Sequence, residues 1–247
     1  MPEPLLSIII PAYNEEDRLP GTLAKLREYL QAQPYQAEIL IVDNASQDRT
    51  SEIAQTYAAA CAPAETPIHV YQEPWRGKGA AVRAGMLKAT GKYRFMCDAD
   101  LSMPVSEINR FLPPTLNDAD IAIASREAPG AVRYGEPVYR HLVGRVFNML
   151  IRLLALPSLH DTQCGFKCFK AAVAEDLFTS LTITGWSFDV EVLFIARQRG
   201  YRIVELPIPW YYNPQSRISV ARDALQMALD ILKIRYKGMR GRYARQP

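Results

Sequence analysis

Short apolar runs recur through the first half of the chain, each closed by polar or turn-forming residues and separated from the next by a helix-length segment. Leu5-Leu6-Ser7-Ile8-Ile9-Ile10 is apolar at nearly every position, which predicts a strand buried on both faces, as in a parallel sheet. The pattern then predicts a helix from about Asp17 to Gln31 and a strand from Glu38 to Val42, closed by Asp43. A helix from Asp48 to Cys61 follows, with Ser46 or Asp48 as its N-cap. Ile68 to Gln72 reads as a strand, Lys78 to Thr90 as a helix and Tyr93 to Cys97 as a strand. Ser106 to Leu112 reads as helical and Ile121 to Ser125 as a strand. This βαβ alternation predicts a parallel sheet with helices on both faces.

The second half is less regular. Arg140 to Leu156 predicts a long helix with a strongly apolar face, and His160 to Lys167 a polar loop. A helix over Phe188 to Arg199 and a strand over Tyr201 to Leu206 follow. The last helix, Val220 to Tyr236, carries an apolar stripe of Ala221, Leu225, Ala228, Leu229 and Leu232, opposite a polar one of Arg222, Gln226, Asp230, Lys233 and Lys237. No repeat, low-complexity tract or linker interrupts the chain.

With 247 residues, 49% of them hydrophobic, the chain is long enough for one large domain with a full core. The net charge of +3 is too small to argue for a nucleic-acid partner. Its distribution is uneven: Lys233, Arg235, Lys237, Arg240, Arg242 and Arg245 end the chain with no acidic residue among them. Cys61, Cys97, Cys164 and Cys168 lack the paired spacing or nearby histidines of a zinc site, and read as reduced thiols in a cytoplasmic protein. No signal peptide is evident. No stretch offers about 18 uninterrupted apolar residues; the longest, Leu142 to Leu156, is broken by Arg145 and Arg152.

In an open parallel sheet, ligands bind beyond the carboxyl ends of the strands. Pro11-Ala12-Tyr13-Asn14-Glu15, Asp43, the pair Asp98 and Asp100, and Arg126 all fall at such ends. Asp98 and Asp100 form either a solvated turn before the next helix or part of a divalent metal site. Mg²⁺ and Mn²⁺ are hard ions that take oxygen ligands and draw the rest of their shell from water and phosphate. A DxD pair is also the nucleophile and acid of haloacid-dehalogenase-type phosphatases, but there it follows the first strand, not the fourth. Arg76-Gly77-Lys78-Gly79 opens a helix either as a phosphate cradle or as a Gly-rich turn with a solvated lysine. It lacks the spacing of a Walker motif, and no GxGxxG follows the first strand.

These stretches, with Val42-Asp43-Asn44-Ala45-Ser46, Asp161-Thr162-Gln163-Cys164-Gly165-Phe166-Lys167 and Gly185-Trp186-Ser187-Phe188-Asp189-Val190-Glu191, resemble family 2 glycosyltransferases of the GT-A fold. Within the family the chain is similar to the polyprenyl-phosphate branch, the dolichyl-phosphate mannosyltransferases and, more so, the β-glucosyltransferases. The resemblance implies an α/β fold with a mostly parallel central sheet, formed by residues 1–217 and followed by a helix and basic tail at 218–247. It implies a nucleotide-sugar donor, UDP- or GDP-hexose, held by Pro11, Ala12, Tyr13, Glu15, Asp43, Lys78, Ala99 and Arg217. Asp98 and Asp100 would carry Mg²⁺ or Mn²⁺ on its diphosphate. Arg126 and Arg140 would bind the phosphate of a polyprenyl acceptor. Ser102 departs from the pattern, standing where several relatives have a glutamine that also touches the metal.

Transfer from such a donor needs the leaving diphosphate stabilised, which a cation supplies. A lipid phosphate is largely ionised at neutral pH, with a second pKa of roughly 6, so it needs positioning more than deprotonation. The expected course is a single displacement that inverts the anomeric carbon. Asp161 either orients acceptor or sugar, or stabilises its loop. Asp189 and Glu191 point to different helix faces, with Asp189 the one expected to face the site. Trp186 either stacks on a sugar or fills core, and core is the simpler reading. An enzyme with this acceptor is expected peripherally at the cytoplasmic face of a membrane, through the basic tail or the Arg140 to Leu156 helix. Three other readings stay open: a mannosyltransferase, a transferase to a soluble acceptor, and a non-catalytic sugar-nucleotide-binding membrane partner.

Overall fold

The computed structural model describes residues 3–62, 66–214 and 220–244, and for 220–224 the backbone only. The apolar runs become β1 (Leu6–Ala12), β2 (Ala37–Asp43), β3 (Ile68–Gln72), β4 (Tyr93–Met96) and β5 (Ile121–Ser125). The helices between them are α1 (Leu19–Gln31), α2 (Thr50–Ala59) and α3 (Lys78–Lys88), with a 3₁₀ segment at Val105–Phe111 where a helix was expected. The second half adds β6 (Val132–Tyr134), α4 (Val138–Leu154), β7 (Lys167–Lys170), α5 (Ala171–Thr179), α6 (Phe188–Gln198), β8 (Ile203–Pro207), β9 (Pro209–Tyr211) and α7 (Val220–Met239).

Seven strands form one sheet in the order β3-β2-β1-β4-β7-β5-β8, and β6 pairs with β9 in a separate two-stranded ribbon. All pairings in the large sheet are parallel except those of β7, which runs antiparallel to β4 and β5. No strand was expected here: the polar loop expected over His160 to Lys167 ends on its first residue, and lysines stand at both its ends. Its reversal matters for the site: Lys167 pairs with Met96, so the segment leading into β7 lies at the edge where β4 ends.

Alternation along the strands divides the core between two faces. Ile9, Leu40, Val42 and Met96 pack under α3, α5, α6 and α7, whereas Ile8, Ile10, Ile39, Ile41 and Phe95 pack under α1 and the 3₁₀ segment. The apolar stripe read on the last helix is not its packed face. Met227, Ile231 and Ile234 are buried, while Leu225, Leu229 and Leu232 remain exposed. The helix carries two apolar stripes, and its close approach to α6 selects one: a Cβ on Gly238 would lie 2.6 Å from the Phe194 ring. The side chains of Ala221 and Arg222 on that helix, the expected boundary after residue 217, and Arg217 itself lie outside what is described. No helix among the described residues is long and apolar enough to cross a membrane.

Candidate active site

Because β1, β2, β4, β5 and β8 are parallel, their carboxyl ends meet at one edge. The loops there line a cavity of about 860 Å³. The three described non-glycine residues with positive φ, Asn14 (52°), Ala45 (57°) and Leu101 (43°), all stand in these loops. Such angles cost energy and persist where surroundings enforce them. The enforcement is visible: the Asn14 N–H donates to Ser46 Oγ at 2.9 Å, and the Glu15 N–H to Thr50 Oγ1 at 2.6 Å. Asp48, expected to cap α2, accepts from the Thr50 N–H at 3.0 Å and the Glu16 N–H at 3.2 Å, joining the β1 and β2 loops.

Pro11, Ala12, Tyr13, Glu15, Lys78, Asp98, Ala99, Asp100, Arg126, Arg140 and Asp161 all line this cavity. Asp43 does not: it is buried and accepts the Ser46 N–H at 3.2 Å, while its neighbour Asn44 reaches the wall. The Asn44 Oδ1 accepts the Gly77 N–H at 2.7 Å, tying β2 to the start of α3. Glu15 is engaged by Arg18, which also lines the cavity, at 2.5 Å.

Lys78 opens α3 and lies 2.7 Å from Asp98 Oδ1, although the oxygen lacks a well-directed hydrogen bond. Burial would lower this ammonium, but the charges of Asp98, Asp189 and Asp100 outweigh it and raise its pKa. Asp100 is raised by burial and by the charge of Asp98, and its Oδ1 accepts the Ser102 N–H at 3.1 Å. Gly165 allows this crowding, since a Cβ there would meet Asp98 Oδ2 at 2.3 Å. Two carboxylates with an undersatisfied buried oxygen and a repulsion to relieve suit a hard divalent cation. No third acidic, histidine or cysteine side chain joins them among the described residues, and hard divalent ions commonly draw the rest of their shell from water and phosphate. Ser102 is buried beside them.

A second acidic group stands close by. Asp189 is buried on the cavity wall with Lys167 Nζ 2.7 Å from its Oδ1, and Lys167 also donates to the Cys164 carbonyl at 2.5 Å. Burial raises the Asp189 carboxyl, opposed by the charges of Lys167 and Lys78. Glu191, two residues on, faces away and accepts the N–H groups of Thr182 and Ile183 at 2.9 and 2.6 Å. Trp186 is not core: it is half-buried on the cavity wall, with Lys78 Nζ 5.6 Å from its ring centre.

Arg126 and Asp161 form a bidentate pair, Nε to Oδ2 at 2.6 Å and Nη2 to Oδ1 at 3.0 Å, and the Arg126 N–H adds a third bond at 3.0 Å. Burial would raise the Asp161 carboxyl, but Arg126 outweighs it and holds it at about 2. Asp161 is thus ionised and saturated. The guanidiniums of Arg126 and Arg133 lie 5.5 and 5.8 Å from the Trp210 ring centre, and Arg140 lies 5.2 Å from that of Tyr212. Arg133, Trp210, Tyr212 and Asn44 were missed by sequence reading. The aromatic run Trp210-Tyr211-Tyr212, soon after an expected strand end, was the available signal.

The architecture is that of GT-A glycosyltransferases. Glucosyl-3-phosphoglycerate synthase from Mycobacterium tuberculosis, crystallised with UDP, superposes with a TM-score of 0.67 at 18% identity, covering 99% of this chain and 82% of the other. Mannosyl-3-phosphoglycerate synthase from Rubrobacter xylanophilus gives 0.69 at 19% identity, covering 99% and 77%. The chain belongs to glycosyl transferase family 2, whose model matches residues 7–178. Among relatives, dolichyl-phosphate beta-glucosyltransferase of Drosophila melanogaster is 34% identical over 241 residues, 93% of this chain and 74% of that protein. The Homo sapiens protein of the same name is 31% identical over 252 residues, covering 97% and 78%.

Proposed function

We propose that this chain transfers glucose from UDP-glucose to a dolichyl or other polyprenyl phosphate, with inversion at the anomeric carbon and with Mg²⁺ or Mn²⁺ on the donor diphosphate. The reading rests on one observation: a single cavity holds the Asp98/Asp100/Lys78 cluster together with the Arg126 and Arg140 guanidiniums. The names of the relatives supply the sugar and the lipid. A manganese ion accompanies UDP-glucose in a crystal of the M. tuberculosis synthase.

Asp98 and Asp100 would hold the metal, which counters charge on the departing diphosphate. Lys78, at the N-terminus of α3, adds a fixed cation beside them. Pro11, Ala12, Tyr13, Glu15 and Ala99 line the donor end, with Arg217 a further phosphate contact and Asp43 supporting its loop from below. Arg126 and Arg140 grip the acceptor phosphate, for which a planar guanidinium is suited. Asp161 positions Arg126 and is too acidic to take a proton at neutral pH. The nucleophile is the ionised phosphate oxygen itself. A peripheral position at the cytoplasmic membrane face goes with this acceptor.

The test is turnover with UDP-glucose or GDP-mannose and a short-chain polyprenyl phosphate, with and without Mn²⁺. Lipid-linked glucose formed only with the metal is expected. Mannose transfer would reassign the donor, and no lipid-linked sugar from either donor defeats the proposal. Calorimetry of UDP with Mn²⁺ should lose its metal-dependent part in Asp98→Ala and Asp100→Ala.

A further inference from the structure

Two neighbouring rings gather three guanidiniums at the acceptor end of the cavity. Trp210 and Tyr212 stand 6.2 Å apart between ring centres, with Arg126 and Arg133 against the first and Arg140 against the second. Carboxylates offset the repulsion among these cations. Asp161 holds Arg126, and two glutamates hold Arg133. The Arg133 Nη2 donates to Glu127 Oε1 at 2.5 Å, its Nη1 to Glu136 Oε2 at 2.6 Å, and its Nε to the Arg126 carbonyl at 3.3 Å. Glu136 is nearly buried and also meets His141 Nδ1 at 3.2 Å. Among the described residues lining this end, three guanidiniums thus face three carboxylates. Arg133, neutralised twice over, brings a ligand no net charge. The glutamates also flank both arginines proposed to grip the acceptor: Glu127 follows Arg126 in the chain, and Glu136 lies four residues before Arg140.

We infer that Glu127 and Glu136 make the acceptor end selective for a single phosphate group over a diphosphate. A phosphate monoester carries about −1.5 to −2 charge at neutral pH, which Arg126 and Arg140 can hold between them. A diphosphate ester carries about one negative charge more. On either side of the two arginines that extra charge meets a carboxylate rather than a third open guanidinium, and a partly buried like charge is repelled strongly. Selectivity of this kind comes from an element that penalises the wrong ligand, beyond the contacts that hold the right one. The inference rests on the proposed reading that the acceptor is a prenyl phosphate. It adds which phosphate ester is admitted and which side chains exclude the other.

The experiment follows glucose transfer to geranyl phosphate and its inhibition by geranyl diphosphate, at fixed free Mn²⁺, in the full chain and in Glu127→Gln and Glu136→Gln. Thermal melts show that each variant folds. In the wild type, inhibition by the diphosphate should be relieved by UDP-glucose and not by geranyl phosphate, because the diphosphate enters only at the donor end. In each variant geranyl phosphate should come to relieve it. The ratio of the diphosphate inhibition constant at the acceptor end to the KM for geranyl phosphate should fall roughly tenfold, as one repulsive charge is removed. A merely structural role for the glutamates would weaken both ligands together and leave that ratio unchanged, which overturns the inference. So does wild-type competition between the two esters at similar concentrations, or wild-type glucosylation of the diphosphate as readily as of the phosphate. Absence of any transfer would instead defeat the proposed reaction. The selectivity is then read by calorimetry of the two esters with UDP present, where the same fall in ratio is expected and an unchanged ratio overturns the inference.

Discussion

At Asp161 two effects oppose each other. Burial disfavours its charge, and Arg126 favours it more strongly. Because the folded carboxyl sits at about 2, below its ordinary 3.8, the pair's stabilisation is fully present above pH 4 and is lost as pH falls through that interval. The loss should reach on the order of 2 kcal/mol. Urea unfolding between pH 5 and pH 2 should show that slope, and Asp161→Asn should flatten it. At neutral pH the same variant leaves Arg126 without its counter-charge and should cost on the order of 3 kcal/mol. Lys78 balances three carboxylates, and a charge-assisted bond from it to a diphosphate is worth about 1.5–3 kcal/mol. Lys78→Met should therefore weaken UDP binding, measured by calorimetry with Mn²⁺, by roughly tenfold or more. Unchanged affinity would confine the lysine to balancing Asp98.

The elements meet the site through backbone crossings that only glycine allows. Gly77, with φ at 135°, brings the start of α3 so near the segment before α6 that a Cβ would stand 2.2 Å from the Thr184 carbonyl oxygen. A backbone atom cannot swing aside, so Gly77→Ala should cost about 2–3 kcal/mol and shift Lys78 from Asp98. Thermal melts and UDP titration would check both. Gly144, in α4, has open space at its Cβ, and Gly144→Ala should be neutral or stabilising by up to about 1 kcal/mol. The legible elements were those whose own periodicity decides them. β3 and β5 match their expected bounds, and α3 and α6 start where expected. Asp98 and Arg126 were legible because parallel strands send their ends to one edge, and Lys78 because a Gly-flanked lysine opens a helix. β7 was not, because lysines at its ends resemble a loop and its partners are distant in sequence. The burial of Asp43 was hidden too, as burial at a strand end depends on the neighbouring loop. On α7 two stripes competed, and only packing against Phe194 chose between them.

At the scale of the molecule, the far end of α7 is joined to the catalytic edge through one buried carboxylate. Tyr243, just past α7, is buried and donates its hydroxyl to Glu191 at 2.6 Å, while Arg199 Nε donates to the Tyr243 carbonyl at 2.9 Å. Glu191 in turn accepts the N–H groups of Thr182 and Ile183, and the next carbonyl, that of Thr184, accepts the Ala80 N–H at 3.2 Å. The 182–186 segment thus hangs from Glu191 on one side and presses on the start of α3 on the other, carrying Trp186 to the cavity wall. The two ends of this connection should respond differently. Tyr243→Phe removes one of several bonds to Glu191 and should cost about 1 kcal/mol in urea unfolding with UDP affinity unchanged. Glu191→Gln weakens every bond to the segment and replaces one acceptor oxygen by a donor facing N–H groups, which should cost on the order of 3 kcal/mol. Because Lys78 and Trp186 both depend on that segment, the same variant should weaken UDP binding severalfold. If Glu191→Gln loses stability while calorimetry finds UDP affinity intact, the anchoring of α7 and the shaping of the donor site are separate properties of the fold.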